Sequence, residues 1–497
     1  MRGWCRGVLV GLLASGCGGA LPEEELSSEV ATAVHEAALT TPGTPRRVEV
    51  IFPPSQWGSA LFAEAPESLV EFRGRLAFAA NFEDGARALW TSDGTEAGTF
   101  AVKTWPVETP SSGFRVAQLT PAGERLFFTA GESAHGSELW VSDGTPGGTQ
   151  RVADLTPGPE HSNLSGLTGL GSTLTFFRTV LATGSAPERA ELWRSDGTAA
   201  GTVRLLDLGA GSSVAWQTGR AGDVLVFIVT GASGGTTVWR TDGTAAGTQQ
   251  LRSFPGTPAG YGFQDVNSAG PLAFFSIPEP DGAISVWKTN GTRAGTVRLY
   301  LFAADGRSPR MLTALGNHLY VSLTDGVTQR AALFRLRLDG VGGKEHVATL
   351  PNPYAAQQDA WPYISTFTAA GGRLYFELAI GSSGPVPRDT QLWVTDGTKA
   401  GTRLLRRPLS RSDEYGSPIV AADSGLVFFA SYDDTTGFEP WVTDGTVAGT
   451  RTLKDVALGV RNSIPREFER VGGQVFFSAF DDTEAGQLWT VPLLSSP

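Results

Sequence analysis

An all-β chain folded as a single β-propeller of four-stranded blades is the reading that three features of the sequence converge on. A phrase, W-x-[ST]-[DN]-G-T-x-x-G-T, recurs at a nearly constant interval. Each copy follows short apolar runs broken by glycine-bearing turns, and the last copy stops one strand early while an unclaimed strand lies near the other end. Self-similarity at a period of about 20–50 residues marks one supersecondary unit repeated, which overrides a domain count taken from length.

The phrase is clear seven times, starting at Trp90, Trp140, Trp193, Trp239, Trp287, Trp393 and Trp441. A worn copy surrounds Phe334, and a truncated one ends at Trp489. Successive anchors are 46 to 59 residues apart. Within the second unit, Phe114 to Thr120 is a first strand and Pro121-Ala122-Gly123 a turn. Arg125 to Thr129 is a second strand, and Gly131 to Gly136 a polar hairpin. Glu138 to Val141 is a third strand, Asp143 to Thr149 a glycine-rich turn, and Arg151 to Leu155 a fourth strand. Four strands in about 50 residues is the size of a propeller blade.

Second strands of other units, such as Leu174-Thr175-Phe176-Phe177 and Leu426-Val427-Phe428-Phe429, are almost continuously apolar. A strand reads that way when both faces of its sheet are covered. The last unit lacks a fourth strand, and Arg46 to Ile51 looks like an orphan one. Pairing it with Gln487 to Val491 closes the ring and hides two exposed edges. The repeat count gives nine blades. Eight blades with a distorted Phe334 unit, or two unequal arrays, are the competing counts.

Residues 1–16 read as a signal peptide, with Arg2 and Arg6 ahead of the apolar run Val8 to Ala14. Leu13-Ala14-Ser15-Gly16-Cys17 resembles the lipobox of bacterial lipoproteins, which implies cleavage before Cys17 and its acylation. Cys5 falls inside the leader, so Cys17 is the one thiol left and forms no intramolecular disulfide. Residues 17–42 read as a lipid-anchored flexible spacer and 43–497 as the propeller. Elsewhere no apolar run approaches the ~18–20 residues that span a bilayer. The expected location is the cell envelope at the outer membrane, facing the periplasm or the surface; secretion follows if Cys17 is not acylated.

The fuller phrase E-L-W-x-S-D-G-T-x-x-G-T, whole at Glu138 to Thr149 and Glu191 to Thr202, resembles the ELWxxDGT repeat family of exported bacterial proteins. The resemblance covers essentially residues 67–491 and implies a propeller, but no particular activity. The D-G-T turn also resembles the Asp-box hairpin of sialidase-type propellers, at a different spacing.

The repeated tryptophans are expected to be structural, their rings filling the space between stacked blades. An aromatic platform for sugars is the alternative. Asp93, Asp143, Asp196, Asp242, Asp396 and Asp444 precede Gly and are expected to bond the backbone of their own turns. Asn290 in the fifth copy keeps the turn without the charge, which argues against catalysis there.

Acidic hairpins between second and third strands (Glu83-Asp84, Asp433-Asp434, Asp481-Asp482) share a face with the long connections between blades. Ligands are expected on that loop-rich face. Calcium there would need six to eight oxygens, roughly, and no D-x-D-x-D-G loop exists, so solvated hairpin tips are the expectation. Five scattered His show no zinc spacing. Gly231-Ala232-Ser233-Gly234-Gly235 matches G-x-S-x-G, but lies between two strands, where no nucleophile elbow forms.

Acids exceed bases 50 to 39, which excludes the basic footprint nucleic acid demands. The expected function is a non-catalytic, lipid-anchored scaffold for protein or glycan, with no cofactor and no metal. The alternative is a hydrolase or lyase of extracellular polysaccharide on the same fold, and a purely structural envelope component is a third reading.

Overall fold

Nine antiparallel sheets form nine four-stranded blades along the chain; in the fourth the first strand is split in two, and the ninth is completed by strands from near the chain's start. The computed structural model describes residues 40–53, 64–107, 113–184, 187–215, 217–232, 234–257, 266–357, 359–384, 387–410, 419–422 and 425–495. All of these belong to one compact unit, Ala38–Pro497. The leader, Cys17 and nearly all of the expected spacer lie outside them. No helix long and apolar enough to cross a membrane occurs among the described residues.

The first blade runs Glu67–Phe72, Arg75–Asn81, Arg87–Ser92 and Phe100–Trp105. Its second strand is buried from Leu76 to Asn81, as a strand covered on both faces should be. The Phe334 unit is an ordinary blade of four strands, Arg307–Leu315, His318–Asp325, Arg330–Arg337 and Glu345–Leu350, so the count is nine. Its turn keeps one working part of the motif: Asp339 Oδ1 accepts the Val341 N–H at 2.9 Å.

Closure follows the expected route. Arg46–Glu49 pairs with the last strand, Arg46 opposite Thr490 and Glu49 opposite Leu488, and supplies the ninth blade's outer strand. Thr40–Pro42, the end of the expected spacer, adds a further short pairing, Thr40 opposite Ser495. Nine apolar clusters each join two consecutive blades. One joins Leu89 and Trp105 of the first to Phe128 and Trp140 of the second. Another joins Val48, Phe52 and Phe476 of the ninth to Leu76 and Phe78 of the first. The core is therefore a ring of interfaces, each buried by stacking the flat faces of neighbouring sheets.

First strands of neighbouring blades lie against one another around most of the ring, so they face the axis. Most of them carry a β-bulge, for example between Ile364 and Phe367 in the seventh blade. Three bulges place a non-glycine residue at positive φ: Ser68, Gln118 and Glu467. Two of these side chains serve the neighbouring blade: Glu467 Oε2 accepts the Leu69 N–H at 3.0 Å, and Gln118 Nε2 donates to the Leu164 carbonyl at 3.1 Å.

Candidate functional site on the channel wall

The recurring polar residues are consumed by their own turns. In the first copy, Asp93 Oδ1 accepts the Thr95 N–H at 2.9 Å and the Thr95 hydroxyl at 2.6 Å. Ser92 Oγ accepts the Gly94 N–H at 3.0 Å and shares a hydrogen bond with Thr99 Oγ1 at 2.7 Å. Thr95 Oγ1 accepts the Gly98 N–H at 3.0 Å, and Thr99 Oγ1 donates to the Thr95 carbonyl at 2.6 Å. Asp143, Asp196, Asp242, Asp396 and Asp444 repeat the arrangement, and Asn290 Oδ1 accepts the Thr292 N–H at 3.1 Å. Every letter of D-G-T-x-x-G-T thus has a local duty. Bonds from the Thr hydroxyl hold the carboxyls of Asp93, Asp143, Asp196 and Asp396 below the ordinary Asp range. A carboxylate so satisfied is a poor acid or base at neutral pH.

The tryptophans sit at blade interfaces. Trp140, Trp287, Trp393, Trp441 and Trp489 are buried, and Trp90, Trp193 and Trp239 half-buried. Most stack on the Phe directly across the sheet, Phe275 with Trp287 at 6.2 Å between centroids and Phe128 with Trp140 at 6.3 Å. A cation from the preceding blade's outer strand covers several rings: Arg406 over Trp441 at 4.1 Å, Arg252 over Trp287 at 5.0 Å, Lys103 over Trp140 at 5.3 Å. Such rings are not open platforms.

The Glu of the E-L-W position ties the second and eighth blades to their exits, whereas Glu191 in the third accepts from Trp193 and Arg204. Glu439 accepts the Val456 N–H at 2.8 Å and the Ser463 hydroxyl at 2.8 Å. Glu138 does the same with Leu155 and Ser162. Burial pushes both carboxyls up to about 7 despite these bonds. Gln487 holds the equivalent place at the closure, its Oε1 accepting Ile51 N–H at 2.8 Å and its Nε2 donating to Phe52 carbonyl at 2.8 Å. The hairpin acids are likewise engaged. Asp84, Asp433 and Asp481 cap their own turns, and the last two also meet Arg406 and Arg47. Among the described residues no three His, Cys, Asp or Glu gather as a metal-ligand set.

A third device was invisible in the repeat. In several blades a basic side chain caps a backbone carbonyl in the next blade's D-G-T turn. Arg240 reaches the Gly291 carbonyl at 3.2 Å, Arg335 that of Gly397 at 3.2 Å, and Arg373 that of Asp444 at 2.9 Å. Arg46 of the closing strand reaches the Gly94 carbonyl at 2.6 Å. The signal was the residue after the Trp, basic at Arg194, Arg240 and Lys288. Elsewhere the cation comes from another strand, which hides the pattern.

Among the described residues a cavity of about 420 Å³ opens on the channel wall, spanning the first strands of the fourth to seventh blades. Its lining comprises Gln217, Thr218, Val266, Asn267, Ser268, Arg310, Met311, Leu312, Thr313, Ser365, Thr366 and Phe367. None is an acid, a His or a Cys. None was singled out from sequence, because the cavity is assembled from four blades about 50 residues apart. Behind Ser365 lies Glu377, a buried acid on the second strand of the seventh blade. Ser365 Oγ donates to Glu377 Oε2 at 2.7 Å, and burial pushes this carboxyl up to about 7. The bulge between Ile364 and Phe367 holds Ser365 and Thr366, both of which line the cavity. The G-x-S-x-G segment is a hairpin turn, with the Gly231 N–H on the Gly235 carbonyl at 3.2 Å; Ser233 lies outside the described residues.

No family model matches this sequence, and no curated protein does. Among solved structures it is similar to a puromycin-hydrolysing peptidase of Mycobacterium tuberculosis, at 13% identity and a TM-score of 0.44, over 89% of this chain and 61% of that one. It is similar to a prolyl endopeptidase at 12% identity and a TM-score of 0.44, over 77% of this chain and 54% of the other. An oligogalacturonate lyase of Vibrio parahaemolyticus gives 10% identity and a TM-score of 0.41, over 91% and 97%. The chain spans little more than half the length of the two peptidases. Likeness at this level carries nothing about chemistry, and the fold rests on the nine sheets themselves.

Proposed function

We propose that this chain is a non-catalytic binding propeller of the bacterial cell envelope, tethered by lipid at Cys17, that takes glycan or protein ligands at its channel. One observation carries the reading. The channel-wall cavity is walled by amides, hydroxyls, one guanidinium and apolar groups, without a carboxylate, His or Cys. Glycoside hydrolysis needs a pair of carboxyls flanking the bond, and general acid–base chemistry needs a titratable group within reach. The lipobox resemblance at Leu13 to Cys17 supports the tether.

The alternative, a polysaccharide hydrolase or lyase, draws on Glu377, a carboxyl that titrates near 7 beside the cavity. Ser365 stands between it and the opening. Incubating the purified chain with a panel of polysaccharides separates the two readings. Retention on one or more of them without new reducing ends or unsaturated products is the expected result. Turnover that Glu377→Gln abolishes would replace the scaffold with an enzyme. Labelled palmitate appearing on the wild-type chain but not on Cys17→Ser tests the tether.

A further inference from the structure

We infer that the channel cavity is a subsite for one acidic sugar unit, its anionic group on Arg310 and its ring against Phe367. This rests on the binding reading above and names the ligand class. Arg310 is exposed, and among the described residues its hydrogen bond is from Nη2 to the Ser365 carbonyl at 3.3 Å. No carboxylate pairs with it among the described residues. Two other cations near the channel are paired, Arg115 with Glu67 and Arg307 with Asp325 at 3.7 Å, whereas Arg220, like Arg310, donates to a backbone carbonyl, that of Gly169 at 3.1 Å. Most of the donors of this guanidinium fork, at the cavity wall, are therefore not spent on the described residues, and such a fork matches a carboxylate or sulfate in two bonds.

The surroundings suit a polyhydroxylated ring. Asn267 spends its amide N–H on the Met311 carbonyl at 3.3 Å, which leaves its oxygen as an acceptor. Thr313 and Thr366 add hydroxyls that can donate or accept. Phe367 is half-buried, one side packed on the apolar cluster between the sixth and seventh blades. A volume of about 420 Å³ sits at the small end of the roughly 300–1,000 Å³ typical of ligand pockets, enough for one or two rings. The lining carries one positive charge in a chain of net charge −11, so the cavity selects anions that the rest of the surface repels.

Calorimetric titration of the full chain with glucuronate, glucose 6-sulfate, glucose and acetate tests this. Glucuronate or the sulfate should bind at least about tenfold more tightly than glucose or acetate. Arg310→Gln should erase that difference without moving the melting temperature, since Arg310 is exposed. If that variant fails to fold, the native chain in about 1 M salt, where the Debye length is roughly 3 Å, should lose the preference. Glucose matching the acidic sugars, or an Arg310→Gln variant that keeps the preference, overturns the subsite and leaves the scaffold reading standing. Binding of the acidic sugar followed by its conversion overturns the scaffold reading and leaves the subsite standing. No binding by any of the four overturns the subsite.

Discussion

At Gly201 the repeated turn has no room for a side chain, because an added Cβ would overlap the Asp196 carboxylate. That carboxylate is itself pinned by the Thr198 N–H at 2.9 Å and hydroxyl at 2.8 Å. Gly201→Ala should therefore destabilise by ~1–3 kcal/mol, as overpacking does. Asp196→Asn should cost under ~0.5 kcal/mol, since Asn290 performs the same duty in the fifth blade. Urea unfolding of the two variants checks both. Glu138, Glu377 and Glu439 each titrate near 7 in the fold, against 4.5 for an ordinary Glu. A carboxyl raised by folding carries no penalty while protonated in both states. The penalty grows as pH climbs from about 4.5 to about 7 and then levels off. The protein should accordingly melt at lower temperature at about pH 8 than at about pH 5. Glu377→Gln should gain up to about 3 kcal/mol at the higher pH and little below the lower one.

Within a blade, strands are ordered by local chemistry, whereas blades adhere through side chains that cross between them. Trp140 is buried against Phe128 and covered by Lys103 of the preceding blade, so Trp140→Ala should cost ~3–5 kcal/mol. Arg240→Met keeps the apolar stem but abandons the Gly291 carbonyl, and should cost ~1.5–3 kcal/mol. Scanning calorimetry of both variants decides whether ring or cap matters more. The same distinction explains what could be read from residues alone. The D-G-T turn is a closed circuit of hydrogen bonds within seven residues, so its role and its placement were legible. The Phe334 blade, worn in sequence, still folds because paired apolar strands need only Asp339 to turn the corner. The basic caps were not legible, because their donors come from whichever strand lies nearest the next turn. Nor was the cavity, whose wall is assembled from blades about 50 residues apart, with the bulged segments after Met311 and Ile364 contributing Leu312, Thr313, Ser365 and Thr366.

Around the whole ring, every interface resembles the next, and the ninth blade is itself completed by residues more than 430 positions apart. Gln487 performs at that junction what Glu138 and Glu439 perform inside continuous blades, binding the segment just beyond an outer strand. A channel wall assembled from four blades keeps its shape only if the circle cannot spread, so ligand binding depends on closure. Hydrogen exchange followed by mass spectrometry reads this in the intact chain. Peptides covering Arg46 to Phe52 and Gln487 to Val491 should be protected together, at the level of the central strands, and Gln487→Ala should loosen both at once. Free-chain exchange of the Arg46 to Phe52 peptide, with the nine sheets still protected, would contradict a closed ring.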